Sequence, residues 1–250
     1  MRRALFFSLL ASCASTPTVP VEPSAAASVT APFERRPFAP TINGEPLIAG
    51  ISYGPFREGH APGGALPNAE EILEDLQIVG AHWNMIRIYG TEPPAETVLQ
   101  VIRDNQLPIK VMLGCWIAPD HDNVTSADEG IRLANAYPEQ VVAVNVGNES
   151  QVFWSAHRTA PEILMEQLRK VRAAVAQPVA IADDYNFWNK PEAQPVAKEI
   201  DFIVVHAYAM WNGKSLEDAV PWTAEALASI QALHPDLPLV IGETGWATEL

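Results

Sequence analysis

The 250-residue chain is predicted to be an α/β protein, a (β/α)₈ TIM barrel whose eighth strand and last helices are missing from this chain. Three observations carry that prediction. Short apolar runs rich in valine and isoleucine, the pattern of strands buried on both faces, alternate seven times with amphipathic helical segments, which implies parallel βαβ units. No GxGxxG follows the first run, so a dinucleotide-binding sheet has little support. Two of the runs also end alike: VVAVNVGNES, Val141 to Ser150, stops at Gly147-Asn148-Glu149, and LPLVIGETGW, Leu237 to Trp246, stops at Gly242-Glu243. A parallel barrel gathers its chemistry at the carboxyl ends of its strands, so two glutamates delivered there can surround one substrate.

The chain opens on an address. Met1 to Ser15 reads MRRALFFSLLASCAS: Arg2 and Arg3 make a positive start, Ala4 to Leu10 an apolar core, and Leu10-Ala11-Ser12-Cys13 a small-residue cleavage region. Such a segment is a secretory signal, too short to span a bilayer as a mature helix. The tetrad resembles a bacterial lipobox, in which the cysteine is lipidated and becomes the new N-terminus. Residues 1–13 are then the signal, Cys13 is the lipidation site, and Ala14 in place of aspartate favours the outer membrane. That reading places the protein beyond the inner membrane, lipid-anchored in the cell envelope. The other reading is a simple cleaved signal ending near Ala14. Residues 14–40, mostly Pro, Ala, Ser, Thr and Val, are too poor in large side chains for a core and read as an extended linker, leaving 41–250 for the barrel.

The first strand is read at Leu47 to Tyr53 and the first helix at Ala69 to Val79, with Ile72, Leu73, Leu76 and Val79 on one face. Strand Asn84 to Tyr89, helix Ala95 to Asn105, strand Ile109 to Cys115 and helix Ala127 to Ala136 lead to the run ending at Glu149. Pro161 to Ala176 is the strongest helix, with proline in its first turn. Strand Val179 to Asp183, a short helix after Pro191, strand Phe202 to Tyr208 and helix Leu216 to Leu233 precede the seventh strand, Leu239 to Glu243. An eighth strand and its helices would need roughly 50 more residues, so the sequence is expected to be a fragment whose sheet has two open edges.

Composition narrows the function. A hydrophobic fraction of 48% can fill one core. A net charge of −14 speaks against nucleic acid or an anionic membrane as partner for the folded surface. Cys13 and Cys115 are the only cysteines, so no disulfide framework exists, and Cys115 reads as a small buried hydrophobe. Asp120-His121-Asp122 is read as a loop rather than a metal site, and no metal or cofactor is expected. Trp83, Trp116, Trp154, Trp188, Trp211 and Trp246 lie near strand ends, where flat aromatic faces suit sugar rings, although packing accounts for about half of them.

Alternation on a strand puts Glu149 on the side of Asn145 and Gly147, Glu243 on that of Leu239 and Ile241, Tyr208 with Val204 and His206, Arg87 with Tyr89, and Tyr53 with Ile51. Arg87 inside an apolar run needs a carboxylate partner, with Glu243 or Glu149 the natural candidate. Two carboxyls converging on a cleft fit cleavage of a glycosidic bond: Glu149 as acid/base, Glu243 as nucleophile, Asn148 on the neighbouring sugar hydroxyl and Tyr208 orienting Glu243. Tyr89, Trp116, Asp183 and Trp246 are further candidates for lining the sugar cleft, Asp183 equally readable as part of a solvated turn.

Taken in order, GISYGPF at Gly50 to Phe56, IRIYG at Ile86 to Gly90, NVGNE ending at Glu149, VVHAY at Val204 to Tyr208 and the closing GETGW resemble glycoside hydrolase family 17. The resemblance covers about Leu47 to Trp246. It implies a retaining β-1,3-glucanase or glucanosyltransferase on a TIM barrel, with Glu149 as acid, Glu243 as nucleophile, and Asn148, Tyr53 and Tyr208 near the reacting sugar. His206-Ala207-Tyr208-Ala209-Met210 lacks the Pro-Phe of plant members, which points to a bacterial branch. The expected partner is a β-glucan, bound by a monomer. The competing expectations are transfer of the glucan to a sugar acceptor and a non-catalytic glucan-binding envelope protein.

Overall fold

The computed structural model describes residues 33–47 and 49–247, so Cys13 lies outside the described residues. Seven strands form one parallel sheet in chain order: β1 (Ile51–Ser52), β2 (Met85–Ile88), β3 (Lys110–Cys115), β4 (Val141–Asn148), β5 (Val179–Asp184), β6 (Phe202–His206) and β7 (Leu239–Glu243). The helices between them are α1 (Ala69–Gly80), α2 (Ala95–Asp104), α3 (Asn123–Ala136), α4 (Pro161–Ala174), the short α5 (Tyr185–Trp188) and α6 (Gln194–Ala197), and α7 (Leu216–Leu233). The sheet curls into a nearly closed barrel, the fold the sequence predicts.

The valine-rich runs become strands because both faces are buried. Val111, Leu113, Val144, Val146, Ile181, Ile203 and Val205 point outward and join Leu99, Leu133, Leu164 and Leu168 of the helices in one large cluster. The inward residues are Met112, Ala143, Ala180, Ala182, Phe202 and Val204, small except at the bottom, and form a separate cluster. Short side chains suit the inside of a tightly curved sheet, where opposing strands converge.

Several boundaries move. β1 shrinks from seven predicted residues to two, because it pairs only with β2. Its other side faces β7, where Ser52 Oγ donates to the carbonyl of Gly242 at 3.3 Å. Among the described residues β1 and β7 are the two sheet edges. α3 begins at Asn123 rather than Ala127, because Asp122 of the Asp-His-Asp loop caps it by accepting from Thr125 N at 3.0 Å. α5 went unpredicted; Asp184 caps it, accepting from Asn186 N at 2.8 Å.

Residues 33–40, read as linker, belong to the fold. Phe38 stacks on Phe202 at 4.3 Å and closes the barrel bottom. Arg36 donates to the carbonyls of Gln177 and Arg172, both at 2.8 Å, while its amide bonds the buried Asp201. Asp201 in turn holds Arg172 at 2.6 Å. One aromatic and one arginine aimed at helix-end carbonyls suffice to dock a segment whose composition alone looks structureless.

Candidate active site

The two glutamates reach the barrel mouth by irregularities rather than by simple alternation. In β4 the register against β5 shifts between Asn145, opposite Ala180, and Asn148, opposite Ala182, so β4 carries one extra residue. Gly147 takes up the distortion with φ +80°, and its missing side chain would point outward, into Ser150 Oγ at 2.6 Å and Leu164 Cδ1 at 2.8 Å. Asn148 therefore faces inward. Glu149 follows in the left-handed region, φ +49°, with its amide donating to Ala182 O at 2.9 Å. Glutamate is rarely found there, and such strain is characteristic of functional positions. β7 has a similar irregularity: Ile241 pairs with Val205, but Glu243 pairs with His206, skipping Gly242. Strict alternation would leave Glu243 with Leu239 and Ile241 on the outer face; the bulge turns it inward, beside the inward-facing His206. The parity grouping read from sequence is thus corrected at both strands.

One carboxylate oxygen of Glu149, one of Glu243 and a ring nitrogen of His206 all lie within 4.8 Å of one another. Arg87, 5% exposed, is the buried cation the sequence flagged, and its partner is Glu243: Nη1 to Oε1 is 2.7 Å. Its Nη2 donates to Asn148 Oδ1, tying the two strand ends together. Tyr208 donates to Glu243 Oε2 at 3.1 Å, and the Tyr89 hydroxyl lies beside Ser52 and Glu243 while its ring carries the Arg87 guanidinium at 4.6 Å. Burial works to raise the Glu243 carboxyl, but His206, Arg87 and Tyr89 outweigh it and hold the group below its usual range. Burial, followed by the charge of Glu243, pushes the Tyr208 hydroxyl up, so it remains a donor. The Glu149–His206–Glu243 set has the composition of a cation site. The Arg87 guanidinium already supplies the positive charge at Glu243, so the set fits acid–base chemistry better than metal binding.

Two cavities open at this mouth. One, about 620 Å³, is lined by Glu149, Asp184, Asn186, Tyr208, Asn212 and Glu243 and flanked by Trp154 and Trp211, the latter 76% exposed. The other, about 500 Å³, is apolar and walled by Tyr53, Phe56, Tyr89 and Trp116, with Trp116 edge-on to His157 at 4.7 Å.

The predicted residues divide accordingly. Glu149, Glu243, Asn148, Arg87, Tyr89 and Tyr208 converge. Tyr53 does not place its hydroxyl there: it donates to Asp75 at 3.0 Å, beside Arg57, because α1 presents a carboxylate to it. Asp183 does not line the cleft. It is fully buried, accepts from Gln151 N at 2.8 Å and Val152 N at 3.2 Å, and anchors the loop after Glu149. Burial pushes its carboxyl up to about 7. Trp116 walls the neighbouring cavity, and Trp246 lines neither. His206, Asn186 and Asn212 were missed, whereas Asp184, a cleft candidate beside Asp183 at the end of its strand, and Trp154 and Trp211, read as flat faces for a sugar, do line the cavity that holds Glu149. For His206 a signal existed: it shares the inward parity of Val204, as a polar group at a buried position. Trp188 is core, its indole N–H bonded to Val204 O at 3.1 Å, and Cys115 is buried, its thiol pushed up to about 12 by burial.

A parallel barrel with two facing carboxylates at its strand ends has the architecture of a glycoside-cleaving barrel. The family model of the BtgE/BtgC glycoside hydrolase domain matches residues 50–249, and the chain belongs to that family. A glucan 1,3-β-glucosidase of Arthroderma benhamiae is 27% identical over 200 residues, 75% of this chain and 63% of the relative. An endo-laminarinase from Formosa superposes with a TM-score of 0.69 at 22% identity, over 80% of this chain and 66% of that one. A glycoside hydrolase family 17 β-1,3-glucanosyltransferase from Rhizomucor miehei gives 0.60 at 24% identity, over 79% and 71%. The chain thus spans about two thirds of the length of these proteins.

Proposed function

We propose that the protein is a retaining glycoside hydrolase acting on β-glucan, with β-1,3-linked glucan the preferred class. The observation that carries this is the approach of one oxygen each of Glu149 and Glu243 within 4.8 Å. Carboxyl groups roughly 5 Å apart suit direct attack on the anomeric carbon, whereas inversion needs room for a water, about 6.5–9.5 Å. Glu243, kept ionised by neighbours that include Arg87 and Tyr89, attacks the anomeric carbon, while Glu149 gives its proton to the departing glycosidic oxygen. Glu149, now ionised, then takes a proton from an incoming water, which displaces Glu243 and releases the sugar with net retention. Asn148, held by Arg87, faces the sugar beside the reacting carbon. The family match and the names of the relatives support β-1,3-glucan as substrate.

An activated 2-deoxy-2-fluoro laminaribioside tests the reading directly. It should leave one glycosyl group on Glu243, found by mass spectrometry of a peptide digest, and Glu243→Gln should lose laminarin hydrolysis to background, beyond about 10⁴-fold, with its melting temperature retained. A fully active Glu243→Gln sinks the proposal.

Trp154 and Trp211, exposed beside the cavity that holds Glu149, favour a second reading in which a sugar hydroxyl replaces water as acceptor. Product lengths from a defined laminari-oligosaccharide separate the two. The N-terminal signal supports placement in the cell envelope through lipidated Cys13; loss of labelled palmitate incorporation in Cys13→Ser is the expected result.

A further inference from the structure

His206 lies between the two carboxylates and has no part in the scheme above. Its ring is fully buried at the end of β6. Nδ1 is 3.1 Å from Glu149 Oε1, a hydrogen bond. Nε2 is 3.4 Å from Glu243 Oε1, a close approach that is not aligned as one. Nε2 therefore has no hydrogen-bond partner among the described residues, and a buried polar atom left so is costly. The groups facing the ring come from every neighbouring strand: Glu149 after β4, Asp184 at the end of β5 and Glu243 of β7, with Arg87 of β2 behind Glu243 and Tyr208 two residues further on. Gly242 leaves the space the imidazole fills, since a side chain there would meet Cδ2 and Nε2 at 3.2 and 3.3 Å.

We propose that His206 is a positioning residue that fixes which glutamate carries the proton: neutral and protonated on Nε2, it accepts from protonated Glu149 at Nδ1 and turns its N–H toward ionised Glu243. A neutral imidazole offers one donor and one acceptor. Only this tautomer gives each carboxyl the partner its role requires. With the proton on Nδ1, the ring would donate to Glu149, favouring its charged form, and would set a lone pair against the Glu243 carboxylate. A hydrogen bond to the neutral form of one acid and to the charged form of the other drives their titrations apart. A small turn of the ring or of Glu243 aligns the Nε2 contact, and the rest of the wall is already in place.

The inference rests on the roles proposed above for Glu149 and Glu243, and two amide substitutions separate it from them. His206→Gln carries a donor toward the Nε2 position and loses the acceptor facing Glu149; His206→Asn keeps an acceptor near Nδ1 and loses the donor. The pH dependence of kcat/KM on a laminari-oligosaccharide is measured on the full chain, with thermal melts alongside. His206→Gln should move the alkaline limb down by about one pH unit while the acid limb stays. His206→Asn should move the acid limb up by about as much while the alkaline limb stays. Both limbs unmoved in folded variants, or an alkaline limb moving up, overturn the inference and leave the two glutamates in their roles; an active Glu243→Gln removes those roles and the inference together. Should either variant fail to fold, ¹⁵N-histidine spectra of the unsubstituted chain read the tautomer: an unprotonated Nδ1 supports the assignment and an Nδ1–H overturns it.

Discussion

The ends of β4 and β7 read alike in sequence, each an apolar run stopped by glycine and then glutamate within two residues, but the fold treats them differently. β4 is interior to the sheet, paired with β3 and β5 and almost wholly buried. β7 is an edge, with Ile241 41% exposed. Glu149 is delivered by a left-handed residue and faces His206 and Asp184; Glu243 is delivered by a bulge and faces Arg87, Tyr89 and Tyr208. A guanidinium and hydroxyl donors stabilise a carboxylate. The motif supplies two carboxyls, and the fold gives each a different set of neighbours.

Removing Glu149, the proposed acid, breaks this contrast most. Glu149→Ala should lower kcat/KM on laminari-oligosaccharides by about 10²–10⁴-fold, and much less on an aryl glycoside whose leaving group needs no proton. Added azide should then restore turnover and yield a β-glycosyl azide; equal losses on both substrates would reverse the assignment. Next comes Arg87, the partner of the proposed nucleophile. Arg87→Met strips one of the neighbours that hold Glu243 below its usual range. Since the proposed nucleophile acts in its ionised form, the acid limb of kcat/KM should move to higher pH, with a loss of about 10²-fold at neutral pH. An acid limb that stays in place means Arg87 serves only stability.

The two glycines sharpen the comparison as stability. Gly147→Ala meets both a positive φ and two side chains in the middle of the sheet, and should cost about 2–3 kcal/mol in a denaturant melt. Gly242→Ala meets Val204 Cγ1 at 2.3 Å, but on an edge strand that can yield, and should cost about 1 kcal/mol. A larger cost at 242 would show that the edge is as rigid as the interior. Smallest is Tyr208→Phe, which leaves Glu243 with Arg87 and Tyr89; a loss of tenfold or less in kcat is expected, with KM little changed.

Much of this was legible. Hydrophobic period and length place β3 to β6 within two residues of their observed ends, because strands buried on both faces announce themselves locally. Arg87 announced a carboxylate partner for the same reason, as a charge that an apolar strand cannot leave alone, and His206 at inward parity in β6 carried the same signal unread. Residues 33–40 were not legible, since what docks them is a carbonyl cluster and a ring contributed by the far half of the chain. Asp183 and Asp184 are adjacent and alike in sequence; one grips the loop after Glu149 and the other faces the cavity, a difference set by pairing with Val205 and His206.

The sequence by itself determined the strand order, the outer core and the delivery of two glutamates to one end of a parallel sheet, all consequences of local periodicity and of the carboxyl-end rule. Only the tertiary structure decided that Glu149 meets His206 and Glu243 meets Arg87. Those neighbours depend on an extra residue in β4 and a skipped one in β7, and a bulge is defined by the strand it pairs with, which no local pattern contains.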